Sequence, residues 1–269
     1  MIMNLEIFRY AFMQRAFTAG LIIGVVSSVI GVFVVLKGLS FAGVGISHAA
    51  FGGVALGYFL GINPTFSAIV FCLFVAIVIV YIQRNEQLKS DVPIGIIFAA
   101  SMGLGAVLIS LLKGYNVDLF GYLFGNILSV THSDIINIIV LSFIVISIFL
   151  IIFRQLYYTT FDRQMAKVAG INILLIDTIF MMLIAITIVI SIKVIGIILV
   201  SALLVTPAAT IIPWAKNFKQ LTLLTIITSL FSVIAGLFLS YYLNIPSGGA
   251  IVLLSTLLFF ISFGFAYKK

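Results

Sequence analysis

Long apolar stretches, separated by short turns that carry most of the charged residues, run along the whole chain. A helix of about 20 apolar residues crosses the roughly 30 Å hydrocarbon core of a bilayer. The pattern predicts ten helical segments, at Phe17–Leu36, Ser40–Gly61, Thr65–Ile82, Ile94–Leu112, Val117–Val130, Asp134–Phe153, Ile173–Ile192, Val194–Ile212, Leu221–Leu243 and Pro246–Ala266. We therefore expect an all-α integral membrane protein, a polytopic bundle of nine or ten segments in a single domain over residues 1–269.

The fifth segment, Val117–Val130, leaves the topology open, because its 14 residues would rise only about 21 Å. It is either a short, tilted span or re-entrant. Both versions place ten of the 14 Lys and Arg residues inside, and both place the loop 154–172 and the carboxy terminus in the cytoplasm. We favour the spanning version, because it puts the basic interfacial segment 1–16 on the cytoplasmic side.

Composition supports the membrane assignment and narrows the function. Of 269 residues, 64% are hydrophobic and 8% are charged, against about 25% charged in soluble proteins. No stretch is polar enough for a soluble nucleotide-binding domain. The net charge of +7 lies at span ends, which is typical of the positive-inside bias. The single Cys72 excludes an intrachain disulfide and a multi-cysteine metal site.

Small residues recur every four positions in three of the predicted helices. The stripe in the second segment consists of Gly45, Ala49, Gly53, Gly57 and Gly61. Shorter stripes are Gly20–Gly24–Ser28 in the first segment and Gly95–Ala99–Gly103 in the fourth. Such stripes let helix backbones approach closely inside a membrane. The spacing predicts a tightly packed bundle.

His48 lies two turns into the second segment, with Gly52 and Gly53 within about one turn after it. Neutral imidazole is the commonest metal ligand, so His48 is a candidate metal contact, and a structural hydrogen bond is the alternative. Asp118, Asp134 and Asp177 all fall near predicted span ends. Because ion-coupled carriers usually hold acids within the membrane, this distribution argues against a secondary transporter.

The loop 154–172 contains a predicted short amphipathic helix. An apolar ridge of Phe161, Met165 and Val168–Ala169 faces away from the polar residues Asp162, Arg163, Gln164 and Lys167. Gly170 is the predicted C-cap. A helix of this kind suits docking into the groove of a partner protein, and a solvated loop with one interfacial turn is the alternative.

Pro207 interrupts the segment Val194–Ile212, because it cannot donate to the carbonyl of Leu203. Thr206 and Thr210 can satisfy freed backbone groups around it. The segment is either a flexible, cavity-lining helix with oxygen ligands or an ordinary proline kink. No phosphate loop, G-x-S-x-G elbow or H-E-x-x-H motif occurs, so we expect no catalytic residue.

Several ordered blocks of the sequence resemble one family. These blocks are LKGLSFAGVGISHAAFGGVALG, DVPIGIIFAASMGLGAVLIS, VDLFGYLFGNIL, FDRQMAKVAGI and VIGIILVSALLVTPAAT. They are similar to the permease subunits of bacterial and archaeal zinc, manganese and iron ABC importers, and the similarity runs from about Gly20 to Ala266. The resemblance implies a type II ABC importer-like permease in the cytoplasmic membrane.

The resemblance also implies partners and site residues. Expected partners are a second permease copy, two cytoplasmic ATPase subunits and an extracytoplasmic metal-binding protein. Phe161–Gly170 is then the coupling helix that docks on the ATPase, through Phe161, Asp162, Arg163, Met165, Ala166, Lys167 and Gly170. Many members carry an Asp four residues before the second-helix His, where this chain has Val44. Ser47 is the nearest oxygen that would compensate as a ligand.

The function expected from these observations is the permease of an ATP-driven importer of divalent zinc, manganese or iron. The metal ion is cargo, and no covalently bound cofactor is expected. Two alternatives are a permease for a metal chelate or cobalamin-like ligand and a stand-alone secondary metal carrier. The tight glycine stripes argue against the wide cavity that a chelate needs.

Overall fold

The computed structural model describes residues 10–84, 91–112, 119–125 and 130–266. In this part of the chain all the regular structure is helical, as predicted. The helices are α1 Ala11–Leu36, α2 Ser40–Leu60, α3 Pro64–Gln83, α4 Asp91–Leu111, α5 Leu119–Phe124, α6 His132–Phe161, α7 Arg163–Val168, α8 Ile173–Ile195, α9 Ile197–Ile211, α10 Phe218–Leu243 and α11 Ser247–Ala266. Eight of those described are long and apolar enough to cross a membrane.

Two long helices extend beyond their predicted bounds. α1 begins at Ala11, within the segment predicted to be interfacial, and residues 1–9 of that segment lie outside the described residues. α6 continues through Phe161 and so takes up the first part of the predicted loop 154–172. Its extension carries tilted ring pairs at i,i+4 spacing, with Phe153–Tyr157 centroids 6.2 Å apart and Tyr157–Phe161 centroids 4.6 Å apart.

The fifth predicted segment does not form one continuous helix. α5 has six residues and rises about 9 Å, far less than a bilayer requires. It ends before Gly125, whose φ of 75° is left-handed. The remaining parts of Val117–Val130, at 117–118 and 126–129, lie outside the described residues.

The break between α8 and α9 falls at Gly196 instead of at Lys193. Gly196 has φ 93° and ψ 156°, a conformation that is essentially restricted to glycine. A Cβ there would overlap Gly125 N and Phe124 C and lie 2.5 Å from Leu123 O. The end of α5 therefore packs backbone to backbone against the α8–α9 junction. This close contact explains why both segments turn at a glycine.

The chain forms two compact units, and the first comprises the described residues of Met1–Val32, Asp118–Ser142 and Ile190–Lys269. Here α10 packs against α1, α9 and α11. A Cβ on Gly24 would lie 3.4 Å from Ser229 Oγ, which donates to the Gly24 carbonyl at 3.1 Å. A Cβ on Gly236 would lie 2.7 Å from Ile251 Cα. Small residues thus set the helix separations in this unit.

The second unit comprises the described residues of Phe33–Val117 and Phe143–Val189. In it α2 packs against both α3 and α4. Phe33, 1% exposed, meets the edges of Phe149 and Phe180 at centroid distances of 5.5 and 6.2 Å. This aromatic cluster joins the end of α1 to α6 and α8.

Lys37, which follows α1, decides the topology. Its Nζ donates to Thr159 Oγ1 at 3.3 Å and lies 2.9 Å from Asp177 Oδ1. Thr159 lies in the last turn of α6 and Asp177 in the second turn of α8, so Lys37 lies on the same membrane face as the loop between those helices. The favoured spanning version put Lys37 on the opposite face and is therefore wrong. The start of α1 therefore lies on the membrane face opposite to the loop between α6 and α8.

Candidate metal pathway and coupling surface

His48 lies near the middle of α2, on a helix held close to both of its neighbours. A Cβ on Gly52 would lie 2.7 Å from Ser101 O of α4, and one on Gly53 would lie 2.8 Å from Ala68 Cα of α3. Neither contact leaves space for a side chain. The His48 ring itself is half-buried, and Phe98 of α4 meets its edge at a centroid distance of 4.7 Å.

The proton of the His48 ring can be assigned from its hydrogen bond. Nδ1 lies 2.9 Å from the Val44 carbonyl oxygen, and because a carbonyl only accepts, Nδ1 carries the proton in this contact. In the neutral ring Nε2 then has the lone pair, the form in which imidazole binds a metal. No hydrogen-bond partner for Nε2 occurs among the residues that the structure describes.

The structure brings Ser47 and His48 together on the Nδ1 side of the ring. Ser47 Oγ donates to the Val44 carbonyl at 2.9 Å and lies 3.3 Å from His48 Nδ1. The Ser47 oxygen therefore lies on the side of the ring away from Nε2 and would not bind an ion together with Nε2 in this conformation. The described residues contain no group of three or more His, Cys, Asp or Glu side chains that could hold a metal ion. One neutral imidazole offers a weak and transient contact.

The small-residue stripes divide into packing and non-packing positions. In α2, Gly45 meets Ile94, Ala49 is fully buried, and Gly57 lies against Pro64 Cα, which a Cβ would approach to 2.7 Å. Gly61 was expected to pack and does not. It is the C-cap of α2 with φ 68° and has no atom within 4 Å of a Cβ position.

The stripe predicted in α4 was also expected to pack, and it meets none of the residues that the structure describes. Cβ positions on Gly95 and Gly103 meet nothing within 4 Å, and Ala99 is exposed. The face of α4 that contacts α2 instead contains Ser101 and Gly105. The four-residue spacing identified a face of small residues on α4. It could not show which face of α4 contacts α2.

Pro207 lies inside α9, which continues unbroken to Ile211. Thr210 Oγ1 donates to the Thr206 carbonyl at 2.7 Å, and Ser262 Oγ of α11 donates to the Thr210 carbonyl at 2.6 Å. Neither of these two bonds reaches the Leu203 carbonyl that Pro207 frees. The Ser262 hydroxyl instead satisfies a carbonyl in the last turn of α9. The predicted broken end is a continuous helix whose last turn is tied to α11.

α7 presents an exposed apolar ridge on a well-capped helix. Asp162 is its N-cap, and the Asp162 carboxylate accepts from Met165 N at 2.8 Å. The C-cap is Ala169 rather than Gly170, which follows in the left-handed conformation at φ 76°. The exposed fractions of the ridge residues are 55% for Phe161, 61% for Met165 and 82% for Val168. Ala166 is buried, so its side of α7 packs against the rest of the protein.

The cluster around Asp177 was not predicted from sequence. Asp177 Oδ1 lies 2.9 Å from Lys37 Nζ, outside hydrogen-bond geometry, and Asp177 Oδ2 accepts from Arg163 Nη2 at 3.1 Å. In the sequence Asp177 is only a carboxylate near a predicted span end. The charge of Asp177 within an apolar helix was a signal that it has a partner. The sequence does not show which residues those partners are, because Lys37 and Arg163 lie in other elements.

A polytopic helical membrane protein with an exposed, capped helix between two spans, α7, and a half-buried imidazole within a span, His48, has the features of a transporter permease. The chain belongs to the ABC 3 transport family, whose model matches residues 9–266. It is a multi-pass cell-membrane protein of the permease class, and the family predicted from the sequence blocks is confirmed.

Three relatives align along almost the whole chain. The manganese import system permease protein ScaB of Streptococcus gordonii is 41% identical over 97% of this chain and 93% of that protein. The manganese transport system membrane protein MntC of Listeria monocytogenes is 38% identical with the same coverage. The high-affinity zinc uptake system membrane protein ZnuB of Haemophilus influenzae is 36% identical over 92% of this chain and 95% of that protein.

The solved structure of PsaBC from Streptococcus pneumoniae in complex with Fab has a similar fold. The TM-score is 0.86 at 36% identity, and the match covers 97% of this chain and 95% of that one. The predicted all-helical permease fold is therefore confirmed.

Proposed function

We propose that this chain is the permease subunit of an ATP-driven importer of divalent transition metal ions. Manganese is the first cargo to test, because relatives at 38–41% identity are named for manganese. Zinc is the second, from the relative named for zinc uptake. The observation that carries the proposal is the half-buried His48 of α2, whose Nε2 is free to meet an ion.

The cargo passes His48 on its way inward and is not held there. His48 lies eight residues from the start of α2, about 12 Å along the helix axis from the cytoplasmic end. An ion that must leave needs weak coordination, and one neutral imidazole next to the apolar Val44 side chain is weak. Water and a second copy of the chain would complete the ion's shell.

ATP hydrolysis is assigned to separate partner subunits. The support is the ridge of Phe161, Met165 and Val168, an exposed apolar surface on a capped cytoplasmic helix that fits a groove in another protein. Asp162, Arg163 and Lys167 surround this ridge with charge, and Gly170 turns the chain away after it. The further partners are an extracytoplasmic metal-binding protein and a second permease copy.

The test is metal uptake into proteoliposomes that contain the complete importer. His48→Ala is expected to leave assembly intact and to lower initial manganese uptake at least fivefold. Val44→Asp puts a carboxylate at i,i+4 to His48 and is expected to tighten the apparent affinity for manganese. The matched control is Gly103→Ala, which alters a position with open space.

Two outcomes would contradict the proposal. If neither manganese nor zinc enters with the wild-type complex and ATP, the cargo class is wrong. If the chain alone transports metal on a proton gradient without ATPase subunits, the protein is a secondary carrier. Undiminished uptake by His48→Ala would leave the class intact and assign His48 to packing.

A further inference from the structure

The Asp177 carboxylate joins two elements that the chain order keeps apart. One of its oxygens lies 2.9 Å from Lys37 Nζ, in the turn between α1 and α2. The other accepts from Arg163 Nη2 at 3.1 Å, in the first residue of α7. A single side chain at the start of α8 therefore contacts both the proposed ATPase-docking helix and the turn that leads into the helix of His48.

The two ion pairs differ in their exposure. The side chains of Lys37 and Asp177 are 9% and 17% exposed, whereas that of Arg163 is 70% exposed. Removing one partner of a buried pair leaves an uncompensated charge, so the Lys37–Asp177 contact is costly to break. An exposed pair contributes little to stability. The Arg163 contact can follow movement of α7, while the Lys37 contact stays closed.

Lys37 is also held at the end of α6. Its Nζ donates to Thr159 Oγ1 at 3.3 Å, two residues before Phe161 of the docking ridge. Gly38, in the left-handed conformation at φ 69°, then turns the chain into α2. From Ser40 the helix runs to His48 without a break. Because a helix moves as a rigid rod over two turns, a displacement of Lys37 that the short connection through Gly38 passes to Ser40 also displaces His48.

We propose that Asp177 is a positioning residue that transmits movement of the docking helix α7 to α2 through Lys37. It does not touch the cargo. The inference rests on the proposed function, since it requires an ATPase that moves α7. Its consequence is that loss of the Asp177 carboxylate separates ATP hydrolysis from transport without removing either the docking surface or the imidazole.

The experiment measures manganese uptake and ATP hydrolysis together, in proteoliposomes that contain the complete importer. Asp177→Asn keeps the shape of the side chain and removes its charge. We expect ATP hydrolysis within about twofold of the wild type and a manganese-to-ATP ratio at least fivefold lower. Lys37→Met is expected to behave in the same way. The control Lys219→Gln removes an exposed charge from the cytoplasmic end of α10 and is expected to leave the ratio unchanged.

A charge reversal distinguishes this role from a merely structural one. Lys37→Glu alone should lower the ratio, and Lys37→Glu with Asp177→Lys and Arg163→Glu should restore it to at least half of the wild-type value. If Asp177→Asn does not assemble, Arg163→Gln carries the test, because it spares the buried pair and should lower the ratio about twofold or more.

A normal ratio in Asp177→Asn would overturn the proposal, and so would a failure of the triple reversal to restore an assembled complex. For Arg163→Gln, a normal ratio would have the same meaning. A wild-type complex that moves neither manganese nor zinc would instead refute the proposed function, so the two failures are distinguishable.

Discussion

Gly196 offers the sharpest test of how the α8–α9 junction is built. The substitution Gly196→Ala adds one methyl group where the backbone has φ 93° and ψ 156°. That methyl would overlap Gly125 N and Phe124 C, which are backbone atoms and cannot rotate away as a side chain can. We therefore expect the end of α5 to separate from the junction.

The cost of this substitution has two parts. Placing an alanine in an essentially glycine-only backbone region costs about 1–3 kcal/mol. Inserting a methyl group into filled space costs about 1–3 kcal/mol more. The sum is about 2–6 kcal/mol. At about 2 °C per kcal/mol for a chain of this size, Tm should fall by roughly 4–12 °C.

The assay is thermal unfolding of the purified chain in detergent. Gly103→Ala is the matched control, because Gly103 is helical and a Cβ there meets nothing within 4 Å. Removing a helical glycine gains about 0.5–1 kcal/mol, so Tm should rise slightly. An unchanged Tm for Gly196→Ala, or an equal fall for both variants, would refute the close backbone contact.

Two further predictions concern the cytoplasmic face. The first tests topology by labelling single cysteines in a Cys72→Ala background. Because Lys37 shares a face with Thr159, Tyr10→Cys should react with a membrane-impermeant maleimide added outside, and Gln83→Cys should react only after permeabilisation. The reverse pattern would support the spanning version of the fifth segment. Met165→Glu puts a charge on the exposed ridge and should lower the amount of ATPase that co-purifies at least tenfold. The helix itself should remain folded, because Glu is favourable at the N3 position. Gln164→Glu adds the same charge beside the ridge, and an equal loss there would contradict docking through the ridge.

Much of the architecture followed from local pattern alone. Apolar runs of spanning length identified the membrane helices because hydrocarbon requires about 20 apolar residues whatever their neighbours. The sequence also indicated α7, because a short apolar ridge at helical spacing and a following glycine lie within ten residues. The bounds were less accurate for α6, which continues to Phe161 through residues that the pattern placed in a loop.

Contacts between distant parts of the chain decided the rest. Spacing identified small-residue faces in α2 and α4, but only packing showed that Gly53 meets Ala68 while Gly103 meets nothing. Gly196 rather than Lys193 breaks the helix because the backbone of α5 lies against it.

The topology depended on one such contact, between Lys37 and Asp177, which are 140 residues apart in the numbering. Composition determined that this chain crosses the membrane many times, because transfer of apolar side chains into lipid is a property of each segment. Whether the turn after α1 shares a face with the loop between α6 and α8 was decided by an ion pair, and a charge finds its partner only when the helices that carry both have packed.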